Sequence, residues 1–309
     1  FADAESTLRK ILASAKGDVD SYLALERVLV QQNKTDEAIV VLERLVEVDP
    51  KRARELYQRM AQYARNDDAI KYAARAVELN PDDAEGHRRL GVLYRSRQEI
   101  DRAISEFRQA IAKNDRLFVV YFELADLHVS RGETDEADRL FRRVVRGAPD
   151  EELVGRAARQ SIQINGSRGT IESLEQDLLP LAIGNPQKGI YRRLLIEVYE
   201  LLTFGLVQRV RHGEGKDAEV AKASLARIGA RAVKPLLDAL ADGDAGQQRV
   251  AIDVLGYVAN KNAGPSLFSY ATGSASADLR SRAMLACGSL KDPALLARYE
   301  AYLSPSRSG

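Results

Sequence analysis

A single cysteine, Cys287, excludes an intramolecular disulfide. It sits on an apolar helical pattern, which makes it a buried structural thiol rather than a reactive one. An excess of one charge is also missing. The chain has 46 Lys and Arg against 45 Asp and Glu, a net charge of +1, so no global field draws it toward nucleic acid or a membrane surface. Long uncharged apolar runs are absent. The long helical stretch from about 187 to 211 is interrupted by Arg192, Arg193, Glu197 and Glu200, which excludes a bilayer span. Histidines are few: His87 and His128 fall at packing positions, His212 in a polar segment, and none has a second ligand at metal spacing. Gly213 and Gly215 lack the preceding strand and the following Gly-Lys-Ser/Thr of a phosphate-cradling loop. The acidic pairs Asp67-Asp68, Asp82-Asp83 and Glu151-Glu152 fall at turns or helix starts, where free backbone N–H groups favour carboxylates without any catalytic role. No catalytic constellation, metal or cofactor is expected.

What the chain does have is periodicity. Ala4, Ala38, Ala69, Ala103 and Ala137 stand 34, 31, 34 and 34 residues apart. Four positions after each comes Leu8, Leu42, Ala73, Phe107 or Phe141, and three further on Ile11, Leu45, Ala76, Ala110 or Val144. That spacing is an apolar stripe on one helix face. Pro50, Pro81 and Pro149 close three of the units, with Lys16 and Asp115 at the same place in the others. Upstream of each later alanine lies a second helical pattern: Tyr22, Leu25, Leu29; Leu56, Met60; Leu90, Gly91, Tyr94; Tyr121, Leu124, Ala125, His128. One unit is therefore helix, short turn, helix.

The unit resembles the tetratricopeptide repeat, through Leu90, Gly91, Tyr94, Ala103, Phe107 and Ala110, and again through Leu124, Ala125, Ala137, Phe141 and Pro149. The small residues let two helices approach while the phenylalanines fill the space between units. The third unit departs from the pattern. It is three residues short and carries Ala73 where a large residue is usual, which predicts a shortened first helix after Pro50.

After about Asp150 the character changes. Helices are expected over 153–164, ended by Asn165 and Gly166; over 170–179, stopped by Pro180; and over 187–211. Residues 209–217 read as a linker or wide turn. Beyond it Ala221, Ala251 and Ala283, with Leu225–Gly229, Leu255–Val258 and Cys287–Leu290, form a looser repeat with second helices at 232–240 and 263–270. This resembles HEAT repeats of the short bacterial kind seen in bilin-lyase-type proteins, without bringing lyase activity. The expected fold is all-α: a right-handed α-solenoid of tetratricopeptide-like hairpins over 1–150, connecting helices over 151–212, and a HEAT-like solenoid over 213–309. Phe1 falls in what reads as a second helix without its first, which suggests a piece of a longer chain. The ending SPSRSG reads as the start of a connector. Tyr299 and Tyr302 would cap the stack. Arg and Ala richness with few Lys suggests a GC-rich bacterial source.

In tetratricopeptide arrays the first helix of each unit lines the concave groove, so function is sought there. The positions facing away from the packing stripe include Asp20, Leu23, Arg27 and Gln31; Lys51, Arg54, Glu55 and Gln58; Glu85, Arg88, Arg89, Val92 and Arg95; and Val119, Phe122, Glu123 and Asp126. Lys51, Arg54, Gln58, Arg88, Arg89, Arg95 and Phe122 form the candidate peptide site. Its guanidinium groups would pair the carboxylates of an acidic or C-terminally carboxylated peptide, and Phe122 would anchor a side chain. The competing reading pairs these arginines with Glu55, Glu85 and Glu123. Arg54 and Gln58 occupy the first two positions of the family's chaperone-tail clamp, but Arg89, Val119 and Glu123 stand at the rest, which argues against that ligand. The chain is thus expected to be a non-enzymatic scaffold for a protein or peptide partner, with a second partner for the HEAT-like part and no nucleic acid. The alternatives are a nucleic-acid reader using Arg209, Arg211, His212, Lys216, Lys222 and Arg227, diluted by Glu214, Asp217 and Glu219, or a regulatory appendage of an enzyme.

Overall fold

A computed structural model describes residues 1–273 and 276–304; the connector expected from the last residues falls on 305–309, outside them. The described residues form seventeen α-helices and no strand. They divide into two compact units, Phe1–Gly147 and Ala148–Gly309.

The first unit opens with α1 (Ala2–Ser14). Four hairpins follow: α2 (Val19–Gln31) with α3 (Thr35–Val48), α4 (Ala53–Tyr63) with α5 (Asn66–Leu79), α6 (Ala84–Ser96) with α7 (Ile100–Lys113), and α8 (Phe118–Ser130) with α9 (Thr134–Gly147). The register residues explain the stacking. Ala38, Ala69, Ala103 and Ala137 are buried, as are Leu42, Phe107 and Phe141, so the small side chains set close approach and the large ones fill the gap. Three of the hairpin turns use one device. The residue after Gln32, Arg97 and Arg131 takes a left-handed conformation (Asn33 φ 59°, Gln98 φ 61°, Gly132 φ 75°). The next N–H then reaches back to the first helix: Lys34 to Leu29 O, Glu99 to Tyr94 O and Glu133 to His128 O, each at 2.9 Å. The short unit behaves as expected, with a single 3-10 turn at Pro50–Arg52 followed by an α4 of 11 residues, against 13 for α2, α6 and α8.

The second unit holds α10 (Glu151–Arg168), α11 (Glu172–Gly184), α12 (Gly189–His212), α13 (Lys216–Asp242), α14 (Ala245–Val258), α15 (Gly264–Thr272), α16 (Ala277–Ser289) and α17 (Pro293–Leu303). Several helix ends differ from the sequence reading. Asn165 and Gly166 lie inside α10 because the Asn165 amide donates to Ser161 O at 2.8 Å, one turn back, and the helix ends instead at Gly169 in the left-handed region. Pro180 sits inside α11 instead of stopping it, while Pro235 sits inside α13, within the helix expected over 232–240. The two short helices expected across 221–240 are one helix of 27 residues. Ala221, Leu225, Ile228, Ala232, Leu236 and Ala239 keep one buried stripe through the stretch, and Gly229 passes where a Cβ would stand 3.0 Å from Val258. Burial of that stripe outweighs the amide hydrogen bond lost at Pro235. Residues 213–215 form the turn between α12 and α13 inside this unit, whereas the division of the chain falls at Gly147 and Ala148.

An ion pair with one buried partner ties three of these helices. Glu175 of α11, 1% exposed, accepts from Arg231 Nε and Nη2 of α13 at 2.9 and 2.8 Å and from the Tyr199 hydroxyl of α12 at 3.2 Å. At the end of the unit Phe268 packs edge-on against Tyr299 and Tyr302, with centroids 5.0 and 6.2 Å apart; Tyr302 nonetheless keeps half its surface in solvent.

Candidate functional site

The short third unit leaves a cavity. Between α4 and α6, over α5, lies a space of about 250 Å³ lined by Gln58, Ala61 and Gln62 of α4, Ala73 and Ala76 of α5, and Gly86, Arg88, Arg89, Val92 and Leu93 of α6. Its origin can be read by comparing units. One repeat later Phe107 stands at the place of Ala73 and lies against Gly91, which stands at the place of Tyr57. Here the large and small residues are exchanged. Tyr57 does not fill the space but stacks on Tyr72, with centroids 6.2 Å apart and planes 20° apart. The floor therefore consists of methyl groups, Ala61, Ala73 and Ala76 with Val92 and Leu93, and the rim of amides and guanidinium groups.

The arginines of the rim differ in availability. Arg88 is held: Nε and Nη2 donate to both oxygens of Glu123 at 3.0 and 2.8 Å, and Nη1 donates to Glu85 at 3.0 Å. The Glu123 hydrogen bonds raise the guanidinium's affinity for its proton still further. Arg89 has one distant carboxylate, Glu85 at 3.5 Å, and its side chain is 48% exposed. Lys51, Arg54 and Arg95 make no ion pair among the described residues. Arg54 lies one turn before Gln58, and Arg95 three residues after Val92, so both share the helix stripes that border the cavity. Gln58 donates to Asp83 at 2.9 Å, which uses that carboxylate within the wall.

Neighbouring first helices are also linked. Glu26 of α2, 1% exposed, accepts from Arg59 at 3.3 Å and from the Tyr63 hydroxyl, both on α4. Burial, reinforced by the Glu26 hydrogen bond, pushes the Tyr63 phenol up to about 12.

Of the seven candidate residues, Gln58, Arg88 and Arg89 meet at the cavity; Arg54 and Arg95 are not among its lining residues and lie one helical turn from Gln58 and Val92 on the same stripes. Lys51 lies apart on the exposed 3-10 turn. Phe122 must be withdrawn as an anchor: it is only 6% exposed and packs edge-on against Phe141 at 5.3 Å, so it belongs to the α8–α9 core. Val119 and Val92 likewise pack against the cluster around Phe107. The sequence reading missed the floor. Its signal was Ala73, noted as an irregularity of the repeat rather than as a space. Two of the three histidines are held within the fold, His87 by Glu106 at 2.7 Å and by Pro81 O at 3.1 Å, and His128 by Glu133 at 2.5 Å.

Stacked helical hairpins that leave an open, partly cationic face define an interaction scaffold, a surface for other proteins. Family models for the tetratricopeptide repeat match residues 1–63, 64–116 and 120–154, so the N-terminal half of the chain is built of tetratricopeptide repeats. No curated protein matches the chain. Solved structures align with parts of the chain at low identity and with TM-scores below 0.5. MamA is 23% identical, with 46% of this chain and 84% of that one covered and a TM-score of 0.41. PilF of Pseudomonas aeruginosa is 18% identical over 63% and 90%, with a TM-score of 0.42. YrrB, described as a tetratricopeptide-repeat protein with an unusual peptide-binding site, is 18% identical over 50% and 81%, also at 0.42.

Proposed function

We propose that this chain is a non-enzymatic scaffold that holds an acidic segment or C-terminal carboxylate of a partner protein along the face formed by α4 and α6. The observation that carries this reading is the cavity lined by Arg89, whose one carboxylate partner, Glu85, stands 3.5 Å away, with Arg54 and Arg95, which make no ion pair among the described residues, on the same helix stripes, whereas Arg88 is held by two carboxylates. Guanidinium groups suit carboxylates because their paired donors match two oxygens, and a face of one sign also selects the partner during encounter. The second unit is read as HEAT-like hairpins offering a surface for a second partner. Ala221, Ala251 and Ala283 are buried as the repeat requires, and a Cβ at Gly256 would stand 3.1 Å from the Ala286 methyl, so these helices approach closely.

The test is an affinity pull-down from the source organism with the wild type and with Arg54, Arg89 and Arg95 changed to Glu, leaving Arg88 in place, and with folding checked by circular dichroism. A partner held by the wild type and lost by the folded variant supports the reading. A partner held equally by both moves the site off this face.

A further inference from the structure

We propose that the cavity between α4 and α6 is a specificity pocket for one bulky apolar side chain, Leu- to Phe-sized, of a peptide that carries Asp or Glu beside it. This rests on the acidic-peptide reading above and adds the residue that would fix its register. Three observations carry it.

The first is size. About 250 Å³ falls below the range of roughly 300–1,000 Å³ that holds a whole small molecule. One large side chain fits that scale. The second is the material of the walls. Ala61, Ala73, Ala76, Val92 and Leu93 offer no donor or acceptor from their side chains, so a polar group that reaches this floor, below the amides and guanidinium groups of the rim, loses its water without replacement. An aliphatic or aromatic group would gain by leaving water. The third is the position of charge. Arg89 lines the cavity itself, and Arg54 lies about 6 Å along the helix axis from Gln58, so carboxylates flanking the inserted side chain would meet cations on either side. Exposed ion pairs contribute little affinity by themselves. The buried side chain supplies the affinity and the arginines select its neighbours, a division of labour common at binding hot spots.

The pocket exists because Ala73 is small. In the unit that follows, Phe107 occupies that position and lies against Gly91, where the third unit has Tyr57 turned onto Tyr72. Residue 73 therefore sets whether the array is closed or open at this joint.

The experiment is selection of phage-displayed random dodecapeptides on three proteins: the wild type, Ala73→Leu, and Arg54→Glu with Arg89→Glu. Enriched peptides are then synthesised and titrated, each beside a version with its apolar residue changed to Ala. The wild type is expected to enrich peptides with Leu, Ile, Met or Phe next to Asp or Glu. Changing that residue to Ala should cost tenfold or more in Kd. Ala73→Leu should cost the parent peptide a similar factor but leave the Ala peptide unaffected, the non-additivity that marks direct contact. Ala76→Val fills the same space from the next turn of α5 and replaces Ala73→Leu if the latter does not fold. Peptides lost by the double charge variant yet indifferent to both filling substitutions would overturn the pocket and leave the acidic groove standing. A selection the charge variant shares with the wild type, or no enrichment on the wild type, would overturn both.

Discussion

The ring of Phe107 lies so close over Gly91 that a Cβ at position 91 would stand 2.8 Å from two of its carbons. No real Cβ tolerates that contact without displacement, and Phe107 is fully buried, so it has no open side to move toward. Gly91→Ala is therefore expected to lower stability by about 1–3 kcal/mol, although Ala is the better helix former. Urea denaturation monitored by circular dichroism measures it. An unchanged or raised midpoint would contradict the packing described.

The turn between α6 and α7 carries the opposite expectation. Gln98 holds the left-handed conformation that Gly132 holds in the next unit. A side chain there costs about 1 kcal/mol, so Gln98→Gly should raise stability by up to about that amount after the entropy of glycine is set against it. A melting temperature lower than wild type would count against strain at this turn.

Tyr63 gives a pH dependence. Its phenol is raised to about 12 from 10.0, burial being the main cause and the Glu26 hydrogen bond the second. A raised folded value means the stabilisation is complete below pH 10 and is lost as pH climbs through about 12, because the unfolded chain ionises first. Tyr63→Phe should therefore unfold with a shallower slope between those two values. Identical slopes in alkaline titrations of the two proteins would show that Tyr63 contributes nothing there.

In the second unit, Arg231→Met should cost about 1–3 kcal/mol by leaving Glu175 buried with only the Tyr199 hydroxyl, less than for a fully buried pair because Arg231 is 37% exposed. Glu175→Leu combined with Arg231→Met should recover most of it, since a matched apolar pair no longer buries a lone charge. Chemical denaturation of the single and double variants decides this; a double variant no more stable than the single would argue that the ion pair itself is needed.

The regular part of the first unit was legible because its alanines recur in register with large residues four places on, and both periodicities are helical. What escaped was settled by tertiary packing. Phe122 lies on α8, which is apolar on nearly every side, and periodicity alone does not say which of Val119, Val120, Tyr121 and Phe122 turns inward. Pro180 is a local stop signal that α11 runs through, its buried residues Leu174, Glu175 and Leu178 all lying before it, whereas Pro235 has buried residues on both sides and falls inside the helix expected over 232–240. Glu175 reads as an ordinary first-turn acid, and only the approach of Arg231, 56 residues away, makes it a core residue. The cavity was half legible: Ala73 announced missing bulk, but that Tyr57 leaves the space unfilled is decided by its stacking on Tyr72, a tertiary contact.

The links between successive first helices bear on how the array breathes. Arg59 joins Glu26 across α2 and α4, and Arg88 joins Glu123 across α6 and α8; between α4 and α6 the link is the Gln58 amide on Asp83. In a linear array whose stability is summed from neighbour to neighbour, the joint whose first helices share no ion pair among the described residues and whose interior is unfilled, with an exposed Arg97–Asp67 pair at 3.0 Å as its salt bridge, is where cooperativity divides first. The first unit is accordingly expected to open as two blocks, α1–α5 and α6–α9, and a ligand spanning that joint would fasten the blocks into one folding unit.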